Sequence, residues 1–264
     1  MPIQAPITFP RLTEAEMLEV DFALMDHAFA CHRELGRLCD ELNYQADLAE
    51  RLIGAGFESV VREMPVTMTF RGFRKVYELD LVVADRVIYE LKAASSITKA
   101  HIAQLLNYLL MVGSNRGKII NFRPNSVGSE FVNAPVMPEA RFRYQVTRHH
   151  WTAPDSFTQL VLDLLADLGA GLETPLYLQA LTWHLGGEDK VDRLLPLRRG
   201  SIQLAAQRFH LLNDHEAFAV TAFPSNSLRR QQKHLQNLLD LSPLKSIHWI
   251  NTTLQELHLQ TLNR

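Results

Sequence analysis

The residues best placed for chemistry in this 264-residue chain are charged side chains in the segment 77–92. Val, Ile, Leu and Tyr dominate the segment and a short polar stretch divides it, which predicts a β-hairpin with a tight loop. In that hairpin Asp80 faces Glu90, and Glu78 faces Lys92. Because side chains alternate between the two faces of a strand, these four charged groups would share one face.

Two of these predicted neighbours carry the same charge. Asp80 opposite Glu90 is unfavourable unless a cation lies between the carboxylates. Hard divalent ions such as Mg²⁺ take carboxylate oxygens and water as ligands. Lys92 follows on the same face and is placed to orient or deprotonate a water molecule, or to hold a phosphate. A hairpin with a solvated face and a cross-strand ion pair fits the same residues, so both interpretations stay open at this point.

The spacing of the charged residues follows a short motif. Asp80, then about ten residues, then Glu-x-Lys is the PD-(D/E)xK nuclease pattern, which also occurs often by chance. Further motifs flank it in a fixed order: HRELG at 32–36, ELNY at 41–44, ELK at 90–92, QLLNYL at 104–109 and INF at 120–122. With these motifs, residues 18–148 resemble the GxxExxY family of PD-(D/E)xK proteins.

The resemblance implies an α/β fold with a restriction-endonuclease-like core, in which helices flank a mixed central sheet. It also implies a metal site for Mg²⁺ or Mn²⁺. The ligands would be Asp80, Glu90, the Leu91 carbonyl and Glu41, which lies on a helix beside the sheet. Lys92 would position the water or stabilise charge that develops on the phosphate.

A polar helix face is expected next to this site. Gln104 and Tyr108 are four residues apart, and His101 precedes Gln104 by three, so all three share one face of a helix. The arrangement resembles that of RecB-type nuclease domains, in which this stripe faces DNA and the active site. The name-giving glycine of the GxxExxY family falls at Leu38, so the turn before the ELNY motif must be made elsewhere, for example at Gly36.

Basic residues surround the hairpin in sequence. Arg71, Arg74 and Lys75 precede it, and Lys99 follows it. They are candidates for phosphate contacts, since half or more of protein hydrogen bonds to DNA go to the backbone. Scattered charges of this kind also fit an ordinary solvated rim.

The apolar periodicity predicts the elements that must position these residues. Helices are expected at 13–35, 40–55, 98–111 and 157–169, and strands at 59–63, 65–70 and 118–122, with the hairpin between them.

The second half of the chain repeats features of the first. Leu168-Gly169 follows Leu35-Gly36 at an offset of 133, and Tyr177 follows Tyr44 at the same offset. At an offset of 130, Ile250-Asn251 follows Ile120-Asn121. The nearly constant offset predicts a diverged tandem duplication. An unrelated α/β partner domain is the rival interpretation.

The second copy would lack the chemistry of the first. At the offset of 130, Asp80, Glu90 and Lys92 align with His210, Val220 and Ala222. The predicted organisation is therefore an N-terminal arm at 1–17, a nuclease-like domain at 18–150 and a degenerate copy at 151–264. The chain would be an intramolecular pseudo-dimer, itself a monomer or a dimer.

Composition limits the classes of function. A net charge of −2 means that nucleic acid would have to bind a local basic surface. Two cysteines are too few for a disulfide framework, and no leader or long apolar run is seen, which predicts a reduced, cytoplasmic protein with no membrane partner.

Two hypotheses of function follow from the sequence. In the first, the chain is a metal-dependent nuclease that hydrolyses phosphodiester bonds in DNA without sequence specificity, and the second copy supplies a surface for a protein or nucleic acid. In the second, the chain is a non-catalytic module that keeps the nuclease fold and binds nucleic acid or protein. The intact Asp80, Glu90 and Lys92 favour the first.

Overall fold

The structure, a computed structural model, describes residues 2–134 and 136–264. The described chain forms two compact units. The first contains the residues up to Thr69 together with Arg74–Pro138, and the second contains Phe70–Phe73 and Glu139–Arg264. None of the helices in the described ranges has the length and the low polarity needed to cross a membrane.

The first unit is a mixed six-stranded sheet with three helices. The strands are β1 (Ile3–Gln4), β2 (Val60–Phe70), β3 (Phe73–Val83), β4 (Val87–Lys92), β5 (Arg116–Asn121) and β6 (Gly128–Asn133), in that order across the sheet. The helices are α1 (Glu14–Leu35), α2 (Glu41–Gly54) and α3 (Lys99–Val112). Strands β4 and β5 run parallel, whereas β3 and β4, and β5 and β6, are antiparallel. The predicted α/β class with a mixed, helix-flanked sheet is confirmed.

The hairpin has the predicted register. Val83 pairs with Val87 and Leu81 with Tyr89, across a loop in which Ala84 and Asp85 have positive φ angles. The strands predicted at 59–63 and 65–70 are one continuous strand, β2, with an irregular backbone at Glu63, where φ is +50°.

The hydrophobic core of the first unit lies between α1, α2 and one face of the hairpin. Leu81, Tyr89 and Leu91 contribute to this core from the sheet, and Leu24 and Leu48 are among the fully buried side chains of the two helices. Because alternate residues point the other way, Asp80, Glu90 and Lys92 are on the opposite face. Burial of one apolar face thus fixes where the charged groups lie.

The helix boundaries have local causes. Thr13 caps α1, accepting a hydrogen bond from the Glu16 amide, while the Glu16 carboxylate accepts one from the Thr13 amide. Gly36 ends α1 with φ +70°, a conformation that favours glycine. The chain therefore turns at Gly36 in the absence of the family's glycine.

The second unit is also a mixed six-stranded sheet with helices. Its strands are β7 (Gln145–His149), β8 (Asp192–Arg199), β9 (Ile202–Asn213), β10 (Glu216–Thr221), β11 (Ser246–Thr252) and β12 (Glu256–Asn263), with sheet order β7-β12-β11-β10-β9-β8. Its helices are α4 (Asp155–Leu168), α5 (Thr174–His184), α6 (Glu188–Val191) and α7 (Leu228–Leu241). Strand β7 precedes the predicted boundary near residue 150, yet it pairs with β12 of this sheet.

The two units share an order of elements. Each has two helices, three strands, a helix and two more strands, and in each the third and fourth of these strands are the parallel pair. Strand β1 in the first unit, and β7 and α6 in the second, are additions to this order.

Two side-chain contacts recur within the units. The Tyr44 hydroxyl donates to the Gly36 carbonyl at 2.9 Å, and the Tyr177 hydroxyl donates to the Gly169 carbonyl at 2.6 Å. Each hydroxyl also accepts a hydrogen bond from the backbone amide three residues after that glycine. These contacts connect the end of the first helix to the second helix in both units.

The sheet register corrects the predicted alignment of the two halves. Lys92 pairs with Asn121 in the first unit, and Thr221 pairs with Asn251 in the second. Thr221, and not Ala222, is therefore the counterpart of Lys92, because the connection between β10 and β11 is one residue longer. The same shift moves the counterparts of Glu90 and Asp80 from Val220 to Ala219 and from His210 to Phe209. A shift of one residue exchanges the two faces of a strand.

Candidate active site

A polar cleft of about 450 Å³ opens on the charged face of the first sheet. Helix α2, strands β2, β3 and β4, and helix α3 supply its walls. The lining residues are Glu41, Leu42, Gln45, Glu63, Val76, Tyr77, Glu78, Asp80, Lys92, Gln104 and Tyr108. The fold thus brings together the predicted site residues of the hairpin, of α2 and of α3.

Lys92 is the centre of the charge cluster. Its Nζ lies 2.7 Å from Glu90 Oε1, 3.5 Å from Glu41 Oε1 and 3.8 Å from Asp80 Oδ2. Only 11% of the side chain is exposed, so these interactions act in a medium of low polarity. One ammonium group therefore forms ion pairs with three carboxylates.

Asp80 is held from both sides. Its Oδ2 accepts a hydrogen bond of 2.8 Å from the Leu91 amide on the neighbouring strand, and its carbonyl accepts one of 2.6 Å from Gln45 Nε2. Gln45 is buried on α2, and its Oε1 in turn accepts from Arg62 at 3.3 Å. The carboxylate is thus fixed relative to β4.

Glu90 is fully buried and only partly satisfied. Its Oε1 accepts from Lys92, but its Oε2 is a buried oxygen without a hydrogen-bond partner in the described part of the chain. An acceptor in this state normally costs free energy. It is therefore available to a bound cation or to a proton.

Burial changes the protonation of the carboxylates. It raises the pKa of Glu90 to about 8, an effect that Asp80 strengthens and Lys92 opposes. It also raises the pKa of Asp80 to about 6, against the stabilising contacts with Lys92 and the Leu91 amide. At neutral pH the pair therefore holds a proton unless a cation replaces it.

Lys92 stays positively charged. Burial opposes its charged form, but Glu90, Asp80 and Glu41 outweigh burial and raise the pKa of the ammonium group. Of the two roles that the sequence leaves open to this residue, deprotonation of water is disfavoured, because it needs a neutral amine. Contact with a water molecule or a phosphate suits the cation.

Glu41 lies where α2 begins. Its Oε2 accepts a hydrogen bond of 3.2 Å from the Ala93 amide, just after Lys92. Its side chain is 40% exposed, so it forms the solvent side of the cluster. Glu41 therefore reaches the site from a different element, as its place in the ELNY motif implies.

Gln104 and Tyr108 share the cleft, but His101 does not line it. Gln104 Nε2 donates to the Tyr108 hydroxyl at 3.1 Å, and the Tyr108 ring meets Tyr77 edge to face at 6.0 Å. Burial raises the pKa of Tyr108 to about 12, so the phenol keeps its proton. His101 instead accepts a hydrogen bond from the Thr98 amide and caps α3.

The segment that holds this site is similar to a known superfamily. Residues 19–132 match the PD-(D/E)XK nuclease superfamily. The match runs from α1 into β6 and contains Asp80, Glu90 and Lys92. Neither the comparison with curated proteins nor the comparison with solved structures gave a match.

The basic residues predicted to contact phosphates lie outside the lining of the cleft. Arg71 belongs to the second unit, where its guanidinium forms an ion pair of 2.7 Å with Asp163. Lys75 Nζ lies 4.6 Å from the centre of the Tyr77 ring. Arg74 and Lys99 are exposed. Of the four, Lys75 has a cation–π contact with a residue of the cleft, Tyr77.

Two supporting residues were missed by the sequence analysis. Gln45 follows Glu41 by one helical turn, but nothing in the sequence shows that α2 lies against Asp80. Asn121 is part of the INF motif, and its side chain donates to and accepts from the backbone of Ala94 at 2.7 and 3.0 Å. This amide holds the chain in place directly after Lys92.

The oxygen atoms of the site are ligands of the kind that a divalent ion requires. The described residues contain no cluster of three or more His, Cys, Asp or Glu side chains that could hold a metal by themselves. Mg²⁺, however, usually keeps several waters and takes one or two protein carboxylates together with substrate phosphates. Asp80 and Glu90 supply two carboxylates, and Glu90 Oε2 has no other partner. The residues present therefore fit such an ion.

Proposed function

We propose that the first unit is a metal-dependent nuclease that hydrolyses phosphodiester bonds in DNA without sequence specificity. The observation that carries the proposal is the cluster of Asp80, Glu90 and Lys92 within a segment that matches a nuclease superfamily. Each of the three lies on the wall of one polar cleft or directly behind it.

Asp80 and Glu90, with the Leu91 carbonyl and Glu41, would hold Mg²⁺ or Mn²⁺. When bound, such an ion would supply polarisation of the phosphate and a lower pKa for water. Lys92 keeps its positive charge and stabilises the negative charge that develops on the phosphate oxygens. Its three carboxylate neighbours fix the ammonium group before the substrate binds.

Gln104 and Tyr108 would bind the substrate. The phenol of Tyr108 keeps its proton and can donate a hydrogen bond to a phosphate oxygen, while Gln104 orients the phenol through its own hydrogen bond. Arg74, Lys75 and Lys99 are the proposed contacts to the nucleic-acid backbone. Arg71 would first have to leave Asp163.

We also propose that the second unit is a diverged, inactive copy of the first. Support comes from the shared order of elements and from the recurring tyrosine contacts. It also comes from Asn251, which bridges the backbone of Phe223 as Asn121 bridges that of Ala94. Ala219 and Thr221 replace Glu90 and Lys92, so the copy lacks the charge cluster.

The proposed activity is tested by incubating the full chain with single-stranded, double-stranded and flapped DNA in Mg²⁺ or Mn²⁺. We expect cleavage that stops when EDTA is added and that does not depend on sequence. DNA binding without cleavage under every metal condition would instead favour the non-catalytic module. Glu90→Gln keeps the shape of the side chain and should be inactive, whereas Lys245→Ala, which changes an exposed lysine of the second unit, should cleave normally.

A further inference from the structure

An exposed two-stranded ribbon projects from the sheet of the second unit. Strands β8 and β9 form the antiparallel hairpin at one edge of that sheet. Every residue of β9 from 202 to 208 is exposed, so both faces of this strand are open to solvent along that length. Leu195 and Leu197 of β8 are partly buried against the core and hold the ribbon to the unit.

The ribbon is strongly basic. Residues 192–213 contain one acidic residue, Asp192, and four arginines, a net charge of +3 in a chain whose net charge is −2. The arginines are Arg193, Arg198, Arg199 and Arg208. The side chains of Arg198 and Arg199, at the tip, have no hydrogen-bond or ion-pair partner in the part of the chain that the structure describes, although their backbones pair with Gln203 and Ile202 of β9. They are therefore available to an external anion.

One face of the ribbon combines apolar and basic groups. Leu194 pairs with Arg208, and Ile202 pairs with Arg199, so the members of each pair share a face. Leu194 is 67% exposed and Ile202 is 51% exposed. A second copy of the chain docked ribbon to ribbon would bring these arginines together, which is unfavourable. The partner that complements this face is a polyanion, which pairs with the arginines and carries apolar groups between its charges for the leucine and isoleucine side chains.

We propose that the β8–β9 ribbon binds the major groove of B-form double-stranded DNA. The exposed part of β9 is about 20 Å long, and its two strands lie about 5 Å apart between their backbones. The major groove of B-form DNA, about 12 Å wide, admits a two-stranded ribbon, whereas the minor groove is only about 6 Å wide and must be widened by deformation of the DNA to hold one. Arginines then reach the phosphates, and the apolar side chains lie within the groove, where they form no hydrogen bonds to base edges. This inference names the substrate class of the proposed nuclease and rests on that function.

The test compares two matched double substitutions of neighbouring exposed arginines. Arg198→Ala with Arg199→Ala removes the charges of the ribbon tip, and Arg229→Ala with Arg230→Ala removes the same charge from α7 of the same unit. Binding to a duplex of about 20 base pairs is measured in EDTA over a range of salt concentrations. We expect the ribbon variant to bind more weakly and to lose about 2 from the slope of log K against log salt, as two phosphate contacts require. An unchanged slope, or an equal loss in the α7 variant, would overturn the proposal.

A duplex RNA of the same sequence provides the second arm. Its A-form major groove is too narrow and deep for side chains to enter, so the ribbon substitutions should leave RNA binding unchanged. An equal loss on RNA would mean that the arginines act as a general basic surface and would overturn the groove assignment. Ribbon-dependent DNA binding without cleavage in Mg²⁺ or Mn²⁺ would refute the nuclease alone, whereas cleavage with ribbon-independent binding would refute the ribbon alone.

Discussion

At the scale of single residues, the candidate site is a buried pair of carboxylates balanced by one lysine. Asp80, Glu90 and Lys92 could be grouped from the sequence alone, because strand alternation and a short loop determine which side chains share a face. Their protonation could not be predicted in this way. The complete burial of Glu90 depends on the helices around it, and that burial is the main cause of its raised pKa.

The raised pKa values predict how stability changes with pH. In the absence of metal, Asp80 and Glu90 bind protons more tightly in the folded chain than in the unfolded chain. Their contribution is therefore complete below about pH 4 and is lost as the pH rises through about 6 and then 8. Chemical denaturation between about pH 5 and pH 9 should show a decrease on the order of a few kcal/mol in the free energy of unfolding.

Glu90→Gln isolates this effect. The amide does not titrate, so the difference in unfolding free energy between the parent and the variant should shrink or reverse as the pH rises. A difference that stays constant across the range would show that Glu90 does not titrate above its ordinary pKa.

A bound metal ion should reverse the loss of stability that follows when Asp80 and Glu90 lose their protons. At about pH 8, Mg²⁺ or Mn²⁺ at a hundredfold excess over its Kd should stabilise the parent by about 2.7 kcal/mol, seen as a higher melting temperature. Asp80→Asn and Glu90→Gln should abolish the shift, because each removes a carboxylate ligand. Equal shifts in the parent and both variants would place the ion elsewhere.

At the scale of elements, the helices and strands around the candidate site could be predicted within a few residues, whereas most elements of the second unit were not predicted individually. Apolar periodicity gave α1, α2, α3, α4 and β5 close to their observed bounds. The continuous strand β2 was predicted as two separate strands, because Pro65 cannot donate a hydrogen bond to a neighbouring strand and resembles a break in the sequence. Supporting contacts made by Gln45 and Asn121 were also missed, since they depend on how elements pack and not on local pattern.

Gln45 provides a test of packing between elements. Gln45→Ala removes the hydrogen bond from the Gln45 side chain to the partly buried Asp80 carbonyl. We expect a loss of about 1–3 kcal/mol in the free energy of unfolding, together with weaker metal binding. Calorimetric Mn²⁺ titration and thermal melting measure the two effects.

Asn43→Ala on the same helix is the matched control. Asn43 is exposed, and its substitution should change neither stability nor metal binding beyond about 0.5 kcal/mol. If Gln45→Ala binds Mn²⁺ as tightly as Asn43→Ala does, Gln45 has no positioning role.

At the scale of the whole molecule, the sequence predicted the repeated order of elements but misplaced the register by one residue. Tyr44 and Tyr177 are separated by the same number of residues as Gly36 and Gly169, so this part of the repeat is visible in the sequence. The longer connection between β10 and β11 changes the offset between equivalent residues within the second half. The exact alignment of the strands of the two halves depends on strand pairing, and the few identical residues at these offsets could not determine it. The second unit nevertheless has an apolar or neutral residue at each position of the charge cluster.

Restoring the charges in the second unit should fail. Phe209→Asp, Ala219→Glu and Thr221→Lys together place like charges against a core built for Phe209 and Ala217. We expect destabilisation of about 3–5 kcal/mol and no gain of cleavage, because no supporting polar shell is present. A quadruple variant that adds Asp80→Ala in the first unit to these three substitutions would separate any new activity from that of the first site. Cleavage by that protein would show that the three charged side chains are sufficient for activity, and would contradict the view that the second unit also lacks a supporting polar shell.

Lys92→Ala tests the central claim most directly. The rate of DNA cleavage is measured in about 10 mM Mg²⁺ or Mn²⁺ beside Lys245→Ala, and both variants are checked for an unchanged fold and for metal binding. The account predicts that Lys92→Ala loses at least about a hundredfold in rate while it still folds and binds metal, because its ammonium group acts on charge that develops during the reaction. Cleavage by Lys92→Ala at the rate of the parent would contradict the account.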